Sequence, residues 1–223
     1  MKKKLLVGIP LVALGLVGFM GALHLPFLRP VALPLMVALG YECPVAATPD
    51  EVEAARKGSA RAARGDTPSP ARPALGFRLD EMARAEVEAW VERHSLSCKA
   101  SQKGALLTCE GVPAAALGRD GAPIDDLSFR FEPRGERLVT VTALRNRLDA
   151  DTAAATLGAL KAGLAAELGA GKEHGEATAS YLAAGPMRTA LVEYRFSDYI
   201  ASVSATNLGQ RVAVREHYMS AVD

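Results

Sequence analysis

The chain has 223 residues, and its 26 Lys plus Arg against 25 Asp plus Glu give a net charge of +1. A nucleic-acid-binding domain usually has a strong basic excess, and surfaces that stack single strands are rich in aromatic residues, which here make up only 5%. The composition therefore argues against nucleic acid as a partner, and the length allows one or two domains.

The N-terminus is a basic segment followed by a long apolar one. Lys2, Lys3 and Lys4 precede an uncharged run of 19 residues over 5–23. At 1.5 Å per residue this run spans about 28 Å, close to the roughly 30 Å of a bilayer core. We therefore predict that residues 5–23 contact the membrane, with the lysines on the cytoplasmic side.

Three topologies fit this N-terminus: an uncleaved anchor, a signal peptide cleaved after Ala47, or a two-helix hairpin that returns the domain to the cytoplasm. A second apolar run contains Pro26, Pro30 and Pro34, and each proline removes a helical hydrogen bond. Cys43 follows Gly-Tyr-Glu rather than a small residue, which argues against lipidation. The first two topologies predict a protein of the bacterial inner membrane that faces the periplasm, or one secreted into the periplasm.

Residues 48–75 are predicted to form an exposed helix and a tether. Thr48, Pro49 and Glu51 are a capping box with proline in the first turn, which predicts a helix from Pro49 to Arg64 without a sizeable apolar face. The Pro-rich segment that follows is typical of a semi-rigid linker. The predicted organisation is a signal or anchor over 1–47, a helix and tether over 48–75, and a domain over 76–223.

The domain is expected to begin with a helix. Ala83, Val87, Trp90 and Val91 share one helical face, on which Trp90 is expected to be a core residue. Asp80 is the predicted N-cap of this helix.

Two of the three cysteines follow this helix in LSCKASQKGALLTCEG. A hairpin that turns at Lys103-Gly104 places Cys98 opposite Cys109. A four-residue loop makes them a closely spaced, non-hydrogen-bonded pair, and a two-residue loop makes them a hydrogen-bonded pair; both spacings suit a disulfide. A disulfide favours an oxidising compartment and argues against the cytoplasmic hairpin topology. The alternatives are two core-facing thiols, a zinc site that also uses Cys43 and His94, and a redox pair, although C-x-x-C spacing is absent.

The remaining residues predict a second hairpin, a helix and a meander. In the hairpin, apolar and polar residues alternate from Leu127, and the chain turns at 133–136. The helix is capped at Asp149 or Asp151 and buries a stripe of leucines. The meander has three strands and runs from 188 to 218. The predicted fold class is α+β, with a helix followed by antiparallel strands, twice, in halves 76–148 and 149–223.

Common catalytic signatures and cofactor motifs are absent from the sequence, so the prediction is a protein without enzymatic activity or cofactor. His217, Glu193 and Tyr218 are expected on the polar sheet face without a nucleophile beside them. The predicted surface for a protein partner lies on that face. It comprises Arg130, Glu132, Glu193, Arg195 and Arg215.

The segment ALGFRLDEMARAEVEAWV resembles the entry to small envelope domains of the BamE/SmpA type. In that type a glycine-led turn and a helix precede an antiparallel meander, and the resemblance covers Gly76 to about Leu144. It implies an assembly or scaffolding role in the bacterial envelope without catalysis. The chain departs from the type in lacking a lipobox and in having a second half. The alternative functions are an exported enzyme and a small-ligand-binding domain.

Overall fold

The structure, a computed structural model, describes residues 48–134 and 136–222. In this part of the chain the strands are β1 (Cys98–Ser101), β2 (Leu106–Val112), β3 (Ile124–Phe131), β4 (Leu138–Leu148), β5 (Lys172–His174), β6 (Thr189–Arg195), β7 (Tyr199–Asn207) and β8 (Val212–Ser220). The helices are α1 (Pro49–Ala63), α2 (Arg84–Arg93), α3 (Ala150–Leu168) and α4 (Ala179–Ala183). The segment 5–23 and Cys43, on which the membrane and lipidation predictions depend, lie outside the described residues.

The eight strands form one antiparallel sheet in the order β1-β2-β3-β4-β8-β7-β6-β5. The α+β class predicted from the sequence is thereby confirmed. The last strand, β8, lies in the middle of the sheet, where it pairs with β4 on one side and with β7 on the other. Among the described residues, no helix is both long enough and apolar enough to cross a membrane.

One face of the sheet carries the core because apolar residues alternate along most strands. Leu127 and Phe129 of β3, like Ala201 and Val203 of β7, are fully buried, whereas the residues between them are partly exposed. Helix α2 packs on this face through Val87, which is fully buried. Helix α3 packs there through the predicted leucine stripe, of which Leu157, Leu164 and Leu168 are buried. The face opposite the core is the more polar one.

The predicted N-caps are present at two helices and absent at a third. Thr48 forms the expected capping box with Glu51, and Asp149 accepts a hydrogen bond from the Thr152 amide at 2.7 Å. The prediction that Asp80 caps α2 is wrong, because the helix begins after Ala83, three residues later. Asp80 has a left-handed backbone, and its carboxylate accepts hydrogen bonds from Arg72 and from the Ser220 hydroxyl.

Helix α1 and the segment after it belong to the compact unit that begins at Thr48; most residues of α1 are exposed, but Glu53, Arg56 and Ala60 are buried. Ala60 packs against Ile200 and Ala221, and the buried guanidinium of Arg56 donates to the Ser220 carbonyl. In the following segment, Ala74 is only 1% exposed. The sequence did not predict this docking, because α1 is held mainly by ion pairs and small side chains, which give no apolar stripe.

Candidate functional site

The surface that we call the polar face lies opposite the core and consists of three rows of side chains across β2, β3, β4, β8, β7 and β6. Within a row, each residue is paired with its neighbour on the next strand. The middle row is Thr108, Ser128, Thr142, His217, Ser202 and Glu193. The second row is Glu110, Asp126, Leu144, Arg215, Ser204 and Leu191, and the third is Leu106, Arg130, Thr140, Met219, Ile200 and Arg195.

Four of the five residues predicted to bind a partner occupy register positions on this face: Arg130, Glu193, Arg195 and Arg215. The fifth, Glu132, follows the end of β3, and its carboxylate lies 3.6 Å from the Lys57 ammonium of α1. The structure thus brings most of the set to one surface and places Glu132 at the edge where α1 is docked. Their role as a partner surface stays a prediction.

Helix α1 divides the polar face into a covered and an open part. It packs on the third row, where Ile200 and Met219 form a small apolar cluster with Ala60 and Ala221. The hydroxyl-bearing residues of the middle row are partly exposed, and Arg215 in the second row is exposed. The open part therefore combines a line of hydroxyl groups with charged side chains of both signs.

His217 lies at the centre of the open part, on the middle strand of the sheet. Its Nδ1 atom is 2.9 Å from Thr142 Oγ1 and 3.2 Å from Arg215 Nη2. Because a guanidinium can only donate, Nδ1 accepts, and the proton of the neutral ring is on Nε2. Burial and, second, the positive charge of Arg215 lower the pKa of His217 to about 4.

This arrangement suits hydrogen bonding better than acid–base catalysis near neutral pH. A general base works best with a pKa near the operating pH, and the pKa of His217 is well below it. Ser202 is paired with His217 across the strands, but no hydrogen bond joins their side chains in the described part of the chain. Tyr218, which was expected on the polar face, is instead 1% exposed on the core side, so that prediction is wrong.

The core side of the sheet contains a buried carboxylate that the sequence analysis missed. Glu216 is fully buried; its Oε1 accepts from Arg145 Nη1 at 2.8 Å, and its Oε2 accepts from Arg119 Nη1 at 2.8 Å and from the Tyr218 hydroxyl at 2.7 Å. Burial raises the pKa of Tyr218 well above its ordinary value and Glu216 raises it further, so the phenol stays protonated. With two guanidinium groups on one carboxylate, the cluster carries one excess positive charge.

Strand alternation was the signal that could have found this cluster. Val212, Val214 and Glu216 are two residues apart along β8, so the carboxylate faces the same way as the apolar side chains. The same alternation along β4 places Arg145 on the side of the sheet that carries Val141 and Ala143. The third partner, Arg119, comes from the connection between β2 and β3, which no local pattern links to β8.

A cleft of about 320 Å³ opens beside this cluster, between α3 and the β2–β3 connection. Tyr218 and Arg119 line the cleft beside Glu216, and Leu160, Gly163 and Leu164 of α3 also line it. The side chain of Arg119 is 37% exposed, whereas that of Arg145 is 6% exposed, so Arg119 is the member of the cluster that reaches solvent. Burial alone would lower the pKa of Arg119, but Glu216 outweighs this effect and raises it.

The predicted cysteine pair is confirmed at the edge of the sheet. Cys98 pairs with Cys109, the two are joined by a disulfide, and their Cα atoms are 4.0 Å apart. The loop between the strands has four residues, and the Glu110 amide donates to the Ser97 carbonyl at 3.2 Å, so the cysteines form the closer, non-hydrogen-bonded kind of pair. The zinc alternative is wrong for these two residues, because their sulfurs are bonded to each other. Within residues 48–134 and 136–222, no cluster of His, Cys, Asp or Glu suits a metal ion.

Comparison of the chain with known protein families, with curated proteins and with solved structures found no match.

Proposed function

We propose that the chain is a non-catalytic binding or structural module of the bacterial envelope, and that the open part of the polar face binds a protein partner. The observation that carries this proposal is the juxtaposition of partly exposed hydroxyl groups, Arg215 and the Glu193–Arg195 ion pair on one surface. A rigid sheet holds these groups at fixed spacings, which favours specific recognition of a polar partner.

The proposed location is the inner membrane, with the domain in the periplasm. Residues 5–23 would anchor the chain, or the protein would be released into the periplasm if the chain is cleaved after Ala47. The disulfide between Cys98 and Cys109 supports this location, because disulfides persist in oxidising compartments. It also makes the two-helix topology, with its cytoplasmic domain, the less favoured one.

The order of elements supports the proposed relation to envelope domains of the BamE/SmpA type. A turn at Gly76, helix α2 and the antiparallel strands β1 to β4 follow one another as that resemblance implies. We also propose that 149–223 is a diverged second half, because α3 is likewise followed by antiparallel strands, and β4 and β8, the last strands of the two halves, meet in the middle of the sheet.

The location is tested by the intact mass of the natively expressed protein before and after reduction and alkylation. A disulfide between Cys98 and Cys109 in the peptide map and a chain found in the membrane fraction, or one trimmed after Ala47, are the expected results. Free thiols at both positions in natively expressed protein would contradict export.

The partner surface is tested by placing a photo-crosslinking amino acid at Thr142 or Ser202 in cells. The control position is Gly158, which lies on α3, on the core side of the sheet. We expect a discrete adduct from the polar face that weakens in the Arg215→Glu variant, and none from the control position. Equal adducts from both sides, or an adduct that Arg215→Glu leaves unchanged, would contradict the proposal.

A further inference from the structure

We propose that the cleft beside Glu216 is a binding site for a small monocarboxylate with an apolar body. The cleft lies on the core side of the sheet, so this site is separate from the polar face and does not depend on the function proposed for that surface. Its volume of about 320 Å³ is at the lower end of the range for small-ligand pockets.

The charge of the cluster beside the cleft favours a carboxylate. Glu216 accepts hydrogen bonds from Arg119, Arg145 and Tyr218, so its two oxygens are already committed. One positive charge is left over, and Arg119 is the cation that is accessible from the cleft. A guanidinium has five N–H donors in a planar fork, and only one of its nitrogens, Nη1, is engaged with Glu216, so donors remain for a carboxylate of the ligand.

The walls favour an apolar body and limit the ligand to one negative charge. Leu160, Leu164 and Pro73 supply apolar surface, and Pro73 is held in place because its carbonyl accepts a hydrogen bond from the Tyr199 hydroxyl. Asp120 and Glu167 also line the cleft and oppose its positive charge, so the attraction for an anion is confined to the Arg119 guanidinium, and a second negative charge on the ligand would be repelled. Phosphates and dicarboxylates are therefore expected to bind more weakly than a monocarboxylate.

Gly163 lines the cleft without placing a side chain in it. It lies within α3, where a Cβ atom built on it would meet no atom within 4 Å, and it lines the cleft. Glycine in a helix is less stabilising than alanine or leucine, so Gly163 lowers the stability of α3 and leaves the adjacent space in the cleft unfilled. A leucine at this position would project into the cleft and would strengthen the helix.

The test is a titration of the full-length chain with hexanoate, followed by residue-resolved NMR, with hexylammonium and acetate as comparison ligands. We expect hexanoate to shift resonances of Arg119 and of the cleft-facing side of α3, and to bind more tightly than either comparison ligand. Arg119→Gln should weaken binding about tenfold or more, the fold-change expected from losing a hydrogen bond to a charged group.

Because Arg119→Gln also disturbs Glu216, Gly163→Leu is the decisive variant. It should abolish hexanoate binding while thermal stability is kept or raised, whereas Gly158→Leu on the same helix, away from the cleft, should bind as the unchanged chain does. The proposal is overturned if hexanoate does not bind at millimolar concentration, if hexylammonium binds equally well, or if Gly163→Leu binds normally.

Discussion

Acidification is expected to destabilise the fold through His217 on the polar face. The pKa of His217 in the folded chain is about 4, because of burial and then Arg215, whereas that of an unfolded histidine is about 6.5. Between these values the unfolded chain binds the extra proton, so stability is complete above about pH 6.5 and falls as the pH drops towards 4. At pH 5 the linkage relation gives a loss of about 2 kcal/mol from this residue.

Urea unfolding of the unchanged chain and of His217→Asn at pH 7.5 and pH 5 measures this loss. Asparagine offers a side-chain oxygen in place of Nδ1 to accept from Arg215 and Thr142, but it does not titrate. The variant should therefore lose about 2 kcal/mol less than the unchanged chain over this interval. An NMR titration that gives His217 a pKa near 6.5, or equal pH dependence in both chains, would refute the reasoning.

Three further predictions concern stability. Reducing the disulfide should lower the free energy of unfolding by about 3 kcal/mol, as measured by urea unfolding with and without a reductant. Glu216→Gln should lower the free energy of unfolding by about 3–5 kcal/mol in the same assay, because it leaves buried cations unpaired. The double variant Glu216→Leu, Arg145→Met should lose less stability than Glu216→Gln. An equal or greater loss in the double variant would contradict the charge argument. Ala60→Glu should remove the protection of the α1 amides from hydrogen exchange, because Ala60 is the buried apolar residue of that helix. Gly58→Ala, at an exposed position of the same helix, should raise this protection. If the protection survives Ala60→Glu, the docking of α1 does not depend on this contact.

The sequence predicted best those features that depend on neighbouring residues. The position of the turn in one tight hairpin determines that Cys98 pairs with Cys109. A four-residue pattern determines the cap at Thr48. The three strands of the meander predicted over 188–218 are also present, separated by turns near Asp198 and Leu208. In each case the residues that determine the structure lie within a dozen positions of one another, so a local pattern contains the information.

Features that depend on distant residues were missed. The docking of α1 rests on pairs such as Arg56 with Ser220, which are separated by 164 positions. The pairing of β4 with β8 likewise joins segments far apart in the chain. Gly158 and Gly163 of α3 likewise take no part in packing on the sheet: a Cβ atom at either would meet nothing within 4 Å. Sequence periodicity shows that a face is apolar, but it does not show what covers that face.

The alternation of β8 explains how one strand can belong to two surfaces. Arg215 and His217 project to the polar face, whereas Glu216 and Tyr218 project to the core side, next to the cleft. Because β8 is hydrogen-bonded on both edges, to β4 and to β7, a ligand in the cleft can shift it only by disturbing two ladders. We therefore expect the two surfaces to act independently, so that saturating hexanoate leaves the NMR titration of His217 unchanged. A shift of that titration would show instead that β8 transmits binding from one face of the sheet to the other.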